Sequence, residues 1–179
     1  VLAMADAARP NPAHFALAQL EAAGRLSGII TQNIDGLHQA AGSRNVVEYH
    51  GGLGHFACMG CGRDYDPALA KGLAPEALPW HCEACGGVVR PDIVFFGEAI
   101  PLDALRKSGQ LALAADVIVV VGTSGEVAPA NCLPREVKAR GGGVVVINLA
   151  ESAFSGLADV SLYAPAQEVL PALAARVLS

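Results

Sequence analysis

The chain has 179 residues, 53% of them hydrophobic and 16% charged, and a formal net charge of −5. That length supports one well-packed core with a small appendage, and an acidic balance with scattered Lys and Arg argues against nucleic acid as a partner. No apolar run reaches the roughly 18 residues of a membrane span, and Asp6 and Arg9 interrupt the one stretch resembling a signal peptide.

Pro10-Asn11-Pro12 ends a loop, after which Phe15, Leu17, Leu20 and Ala23 recur at helical spacing until Gly24. Ile29 to Thr31 reads as a short buried strand running into the polar Gln32-Asn33-Ile34-Asp35. Residues 36–41 suggest a brief helix, and Val46 to Tyr49 a strand leading to His50-Gly51-Gly52. The composition then changes: residues 54–89 hold four of the five cysteines, several glycines and few long aliphatics. Strand character returns over 90–96 (RPDIVFF), with at least one of its two phenylalanines expected in the core. A helix follows over 101–114, then an apolar strand over 116–121 that ends in Gly122-Thr123-Ser124-Gly125. The pattern closes with a helix over 129–140, a strand over 144–147 ending at Asn148, a weaker strand over 160–163 and a helix over 167–178.

Apolar strands alternating with helices imply βαβ units, an α/β fold and a mainly parallel sheet. In such sheets ligands sit beyond the carboxyl ends of the strands. Gln32, Asn33, Asp35, Gly122, Thr123, Ser124 and Asn148 all follow apolar strands, so they are expected along one rim. Ser and Thr after a strand also serve simply as helix caps.

Cys58-x2-Cys61 and Cys82-x2-Cys85 stand 20 residues apart. This is the spacing of a structural zinc site, in which two thiolates from each knuckle close a tetrahedron and leave no open position. A redox dithiol is the alternative. With no secretory signal, metal or catalysis is favoured over disulfides, in a reducing cytoplasm. His55 and His81 read as surface histidines, and Cys132 as a small buried hydrophobe.

TQNIDGLH, AGS, EYHGG, the paired CxxC knuckles, RPDIVFFGE, GTS and a strand ending in IN resemble, in that order, the sirtuin family over residues 10–175. Sirtuins are NAD-dependent protein lysine deacylases. The resemblance implies a Rossmann-like domain (residues 1–53 and 90–179) that binds NAD, and an inserted zinc-ribbon module (residues 54–89) holding Zn through Cys58, Cys61, Cys82 and Cys85. It further implies an acyl-lysine peptide lying in the cleft between them. Asp35 would hold the nicotinamide carboxamide, Gln32 and Asn33 would order the ribose and nearby water, and Ile34 would press on the nicotinamide. His50 would be the general base at a ribose hydroxyl, a role that suits an imidazole because it titrates near neutral pH. By residue type alone a lone histidine is more simply a packing or surface residue. Gly122, Thr123 and Ser124 would meet phosphate or ribose oxygens, and Asn148 the adenosine ribose. Val94, Phe95, Phe96, Gly97 and Glu98 would face Gly125, Glu126 and Val127 across an extended peptide added as a strand.

Departures from the family pattern carry expectations of their own. The 179 residues contain no G-x-G-x-x-G after a strand, the motif that brings backbone N–H groups onto a diphosphate. The chain is therefore expected to be an N-terminally truncated form that is inactive, or a zinc-containing peptide-binding module that does not hold NAD. His50 precedes Gly-Gly where the family has Gly-Ser, Asn131 stands at a small-residue position, and Ala164-Pro165-Ala166-Gln167 replaces a glycine-bearing turn.

Overall fold

The computed structural model describes residues 7–179. Helix α1 (Pro12–Ala22) begins where its sequence dictates: the Asn11 side chain accepts from the Ala13 and His14 N–H groups, and Pro12 stands in the first turn, where its missing N–H costs nothing. Strand β1 (Ile29–Thr31), the single-turn helix α2 (Leu37–Ala40) and strand β2 (Val46–Glu48) follow. The two strands pair in parallel, Ile30 opposite Val47.

The middle of the chain forms an antiparallel sheet in the order β4-β3-β5, from β3 (Gly51–Cys58), β4 (Asp64–Tyr65) and β5 (Val89–Ile93). Helix α3 (Pro67–Lys71) and a 3-10 turn at Pro75–Ala77 complete it. Its own small core gathers Phe56, Tyr65, Ala70 and Val89 around Cys58 and Cys82, with Trp80 packed alongside.

The third part alternates helix and strand: α4 (Leu102–Ala114), β6 (Val117–Val121), α5 (Cys132–Ala139), β7 (Gly143–Asn148), β8 (Val160–Tyr163) and α6 (Ala166–Leu178). Strands β6, β7 and β8 form a parallel sheet in that order. Helices α1 and α6 cover Ile147 on one side. On the other, Tyr49, Ala112, Ala130, Leu133 and Val137 form a cluster joined by Ile30 of β1 and Ile118 of β6. The parallel strands thus come as two ladders, β1-β2 and β6-β7-β8, that share an apolar cluster. Among the described residues no helix is long and apolar enough to cross a membrane.

Three expectations give way. The strand anticipated over 90–96 stops at Ile93, and neither phenylalanine is core: Phe95 is 53% exposed and Phe96 fully exposed. The reason is local. Glu98 accepts from the Phe95 N–H and binds Arg90, turning the chain away from the sheet. The Arg90 guanidinium lies over the Phe95 ring at 4.7 Å. Cys132 is exposed rather than buried, because it falls on the solvent side of a helix whose core face is formed by Leu133, Pro134 and Val137.

Candidate functional site

The four cysteine Sγ atoms of Cys58, Cys61, Cys82 and Cys85 lie within 4.8 Å of one another. Cys58 and Cys85 stand 3.5 Å apart, and Cys61 and Cys82 3.7 Å. A zinc–thiolate bond of about 2.3 Å gives a tetrahedron with sulfur–sulfur edges of about 3.8 Å, so these thiols fit one Zn held by all four. The neighbours support it. The Gly60 N–H donates to Cys58 and the Gly87 N–H to Cys85, at 3.3 and 3.4 Å. The Tyr65 hydroxyl, hydrogen-bonded to Cys82, holds that thiol down to about 6, and accepts from the Glu83 N–H at 3.2 Å. His55 pairs instead with Asp64, and His81 Nδ1 with the Gly86 carbonyl.

Strand β1 hands the chain to the first polar group. The Thr31 carbonyl accepts from the Tyr49 N–H at 2.8 Å, and the Thr31 hydroxyl accepts from the Asn33 N–H at 3.1 Å. The Ile34 carbonyl accepts from the Leu53 N–H, and Asp35 Oδ1 from the Leu37 N–H at 3.0 Å. His50 Nδ1 lies 3.3 Å from the Gln32 carbonyl oxygen. A carbonyl only accepts, so in this bond Nδ1 carries a proton, and the neutral ring then has Nε2 as its acceptor nitrogen. The backbone holds the residue from the other side, the His50 carbonyl accepting from the Val94 N–H at 2.9 Å.

A second group forms where β6 and β7 end. The Asn148 side-chain amide donates to the Thr123 carbonyl at 2.9 Å, the Gly125 N–H to the Thr123 hydroxyl, and the Ala153 N–H to the Ser124 carbonyl. Gly122 donates to the Ile147 carbonyl. Asn131, the residue in a usually small position, donates its amide to the Gly125 carbonyl at 3.2 Å. Thr123 is half-buried and Ser124 exposed. Gly125 has φ +78, and a Cβ there would sit 2.5 Å from the ring of buried Phe154. Gly125→Ala is expected to cost about 2 kcal/mol or more, from left-handed strain and overpacking together. A urea midpoint lowered to match checks it; an unchanged midpoint contradicts it.

The segment opposite is tied down by charge. Arg90 binds Glu98 through both guanidinium nitrogens at 2.7 Å and also reaches the Ile93 carbonyl. Arg90, then the Phe95 N–H, hold the Glu98 carboxyl down to about 2 from its ordinary 4.5. A depressed carboxyl stabilises the folded loop fully above about pH 4.5, and that contribution is lost as pH falls through about 2. Carboxyl NMR is expected to find the Glu98 midpoint near 2, and Arg90→Ala to return it toward 4.5. Val94 is half-buried, Gly97, Glu126 and Val127 are exposed, and Gly97 has φ +88. Sequence reasoning did not single out Arg90, Tyr49 or Phe154. An Arg and a Glu eight residues apart across a glycine are a weak signal for the first, and nothing in the local pattern marks the other two.

The Sir2 family model matches residues 2–129. Over 175 residues the chain is 49% identical to an NAD-dependent protein deacetylase 1 of Pyrobaculum aerophilum, covering 94% of this chain and 66% of that protein. It is 48% identical to an NAD-dependent protein deacylase of Pyrococcus furiosus, covering 93% and 67% respectively. The fold superposes on a Sir2 homolog–NAD complex with a TM-score of 0.90 at 41% identity, over 97% of this chain and 67% of that one. It also superposes on a Sir2–p53 peptide–NAD+ complex with a TM-score of 0.86 at 40% identity, over 96% and 70%. The chain thus spans about two thirds of the length of the curated relatives it matches. With its four-thiol module beside two parallel ladders, the chain belongs to the Sir2 family.

Proposed function

We propose that this chain carries out NAD-dependent removal of acyl groups from protein lysine side chains, with nicotinamide, O-acyl-ADP-ribose and free lysine as products. One observation carries the reading: the His50–Gln32 hydrogen bond, which engages Nδ1, leaves Nε2 to face a substrate, and joins the imidazole to the run Gln32-Asn33-Ile34-Asp35. NAD, when bound, supplies a ribose carbon that accepts the acyl oxygen as nicotinamide departs. The protein's part is to bind and orient. Asp35 commits one carboxylate oxygen to the Leu37 N–H and offers the other to the nicotinamide carboxamide. Gln32 and Asn33 order the ribose, and Ile34 closes the apolar side. Thr123, Ser124 and Gly122 serve phosphate and ribose oxygens, and Asn148 the adenosine ribose. His50 Nε2 takes the proton of a ribose hydroxyl. The acyl-lysine peptide lies between Val94, Phe95, Phe96, Gly97 and Glu98 on one side and Gly125, Glu126 and Val127 on the other. Two exposed phenylalanines on a loop pinned by Arg90 suit such a partner better than they suit water. The Zn holds the module in shape and takes no part in the chemistry. Five cysteines, none in a disulfide among the described residues, suit a cytoplasmic setting.

A second reading has an observation in its favour. The 179 residues lack a G-x-G-x-x-G turn, and no strand pairing joins β1-β2 to β6-β7-β8 among the described residues. A peptide-binding module without NAD fits both facts. Calorimetry on the zinc-loaded chain separates the two: binding of both NAD and an acetyl-lysine peptide supports the enzyme, and peptide binding alone supports the module. In the enzyme, His50→Ala is expected to lower kcat about 10²- to 10⁴-fold, the usual contribution of a general base, while the Kd for NAD stays within a few-fold. An unchanged kcat removes His50 from this role.

A further inference from the structure

Among the described residues two buried side-chain polar atoms have no partner, His38 Nδ1 and Ser43 Oγ. Both lie in the short stretch just after Asp35, linked by the Ser43 N–H donating to the His38 carbonyl at 3.0 Å. Helix α2, which carries His38, has no fully buried residue and no side-chain cap at Gly36. A single turn with so little of its own to hold it takes its position from a neighbour. That neighbour is α1, and the contact is a pair of imidazoles: the rings of His14 and His38 lie 4.8 Å apart, tilted by 52°. His14 is itself fixed at Asn11, its Nδ1 standing 3.2 Å from the Asn11 N–H nitrogen and 2.9 Å from the side-chain oxygen. The N–H that orients the Asp35 carboxylate belongs to Leu37, the first residue of α2.

We propose that His14 and His38 are positioning residues for Asp35: the imidazole pair clamps α2 against α1 and so fixes the carboxylate that the Leu37 N–H holds. The inference rests on the reading of Asp35 as a cofactor-binding group. An apolar ring at position 38 would avoid the stability cost of an unpartnered buried nitrogen, and a local rule broken in this way is expected near a functional group. The charges agree with the geometry. Burial holds both imidazoles below their usual range, while Asp35 pulls both back up and His14 pushes His38 further down. The charged or titratable groups that act on His38 are therefore His14 on α1 and Asp35 in the preceding loop. Burial favours the uncharged pair near neutral pH, and in acid the pair gains a positive charge that Asp35 attracts.

The first test needs no turnover. Histidine NMR titrations on the zinc-loaded chain should show Asp35→Asn lowering the midpoints of both His14 and His38, and His14→Asn raising that of His38. Midpoints that Asp35→Asn leaves in place overturn the proposal, whatever the chain does with NAD. The second test uses kinetics on variants whose zinc content and far-UV dichroism match the wild type. His38→Ala should lower kcat about tenfold, as loose placement of a binding group does, with the KM for acetyl-lysine peptide unchanged. His38→Phe keeps the ring contact, so it should restore kcat at neutral pH to within about twofold and shift the acid limb of the profile. A folded His38→Ala variant with wild-type kcat overturns the proposal. A wild-type chain without turnover removes the cofactor role of Asp35, and the titrations then decide the coupling alone.

Discussion

Gly51→Ala is expected to be among the most damaging single-methyl additions in this chain. Gly51 has φ +69, and a Cβ built there falls 1.9 Å from the Asp92 carbonyl oxygen, 2.9 Å from its carbon and 3.3 Å from the Ile93 Cα. All three are backbone atoms of the paired strand, with Gly51 opposite Ile93, so no side chain can rotate out of the way. Left-handed strain of about 1–2 kcal/mol and overpacking of about 1–3 kcal/mol together give about 3 kcal/mol. In a domain of this size that lowers Tm by about 10 °C. The damage reaches the site, because strands β3 and β5 separate just where the Val94 N–H holds the His50 carbonyl. Gly54→Ala is the control: a Cβ there meets nothing within 4 Å, and its effect should stay within about 0.5 kcal/mol. Thermal melts showing equal Tm values for the two variants would refute the account of Gly51.

Replacing a zinc ligand should be at least as severe. The module's core is small, and Cys58 and Cys82 are themselves part of it. Structural zinc sites supply folding free energy of about 10–16 kcal/mol in small metal-bound peptides, far more than this cluster provides by packing. Cys85→Ser is therefore expected to abolish stoichiometric zinc and to unfold the β4-β3-β5 sheet while the β6-β7-β8 sheet survives. Tyr65→Phe, which removes only the hydroxyl beside Cys82, should weaken zinc about 10- to 100-fold, as changes just outside a ligand set do. Zinc content and amide exchange, read strand by strand, check both. A Cys85→Ser protein with zinc at one per chain and β3 still protected would contradict the assignment.

Legibility followed the range of the constraint. The four cysteines were readable because chelation fixes their spacing along the chain, and the fold gathers all four Sγ atoms within 4.8 Å. Strands β6 and β7 were readable because unbroken β-branched runs such as VIVVV mark parallel strands, although β7 is largely buried while β6 buries only Val120. Strand β3 was not: its sequence GGLGHFAC lacks an alternating β-branched pattern, and it is a strand only because β5 and β4 pair with it on either side. The end of β5 at Ile93 was equally hidden, since it depends on Arg90 reaching forward to Glu98. Cys132 misled because only one face of a helix meets the core, and here that face is Leu133, Pro134 and Val137. Within the site, the TQNID run drew attention through family resemblance, and its assigned roles stand as proposals. The devices that hold it, among them the Gln32 carbonyl on His50 and the His14–His38 contact, join residues 18 and 24 positions apart and leave no mark on local pattern.

The most direct measurement is mass spectrometry of an acetyl-lysine peptide incubated with the zinc-loaded protein, with and without NAD, following peptide, nicotinamide and acetyl-ADP-ribose together. The account predicts that the three products appear in equal amounts, only when NAD is present, and that His50→Ala suppresses all of them. Loss of the acetyl group without NAD, or release of free acetate in place of acetyl-ADP-ribose, would contradict it, as would a peptide left intact by a protein that binds both ligands.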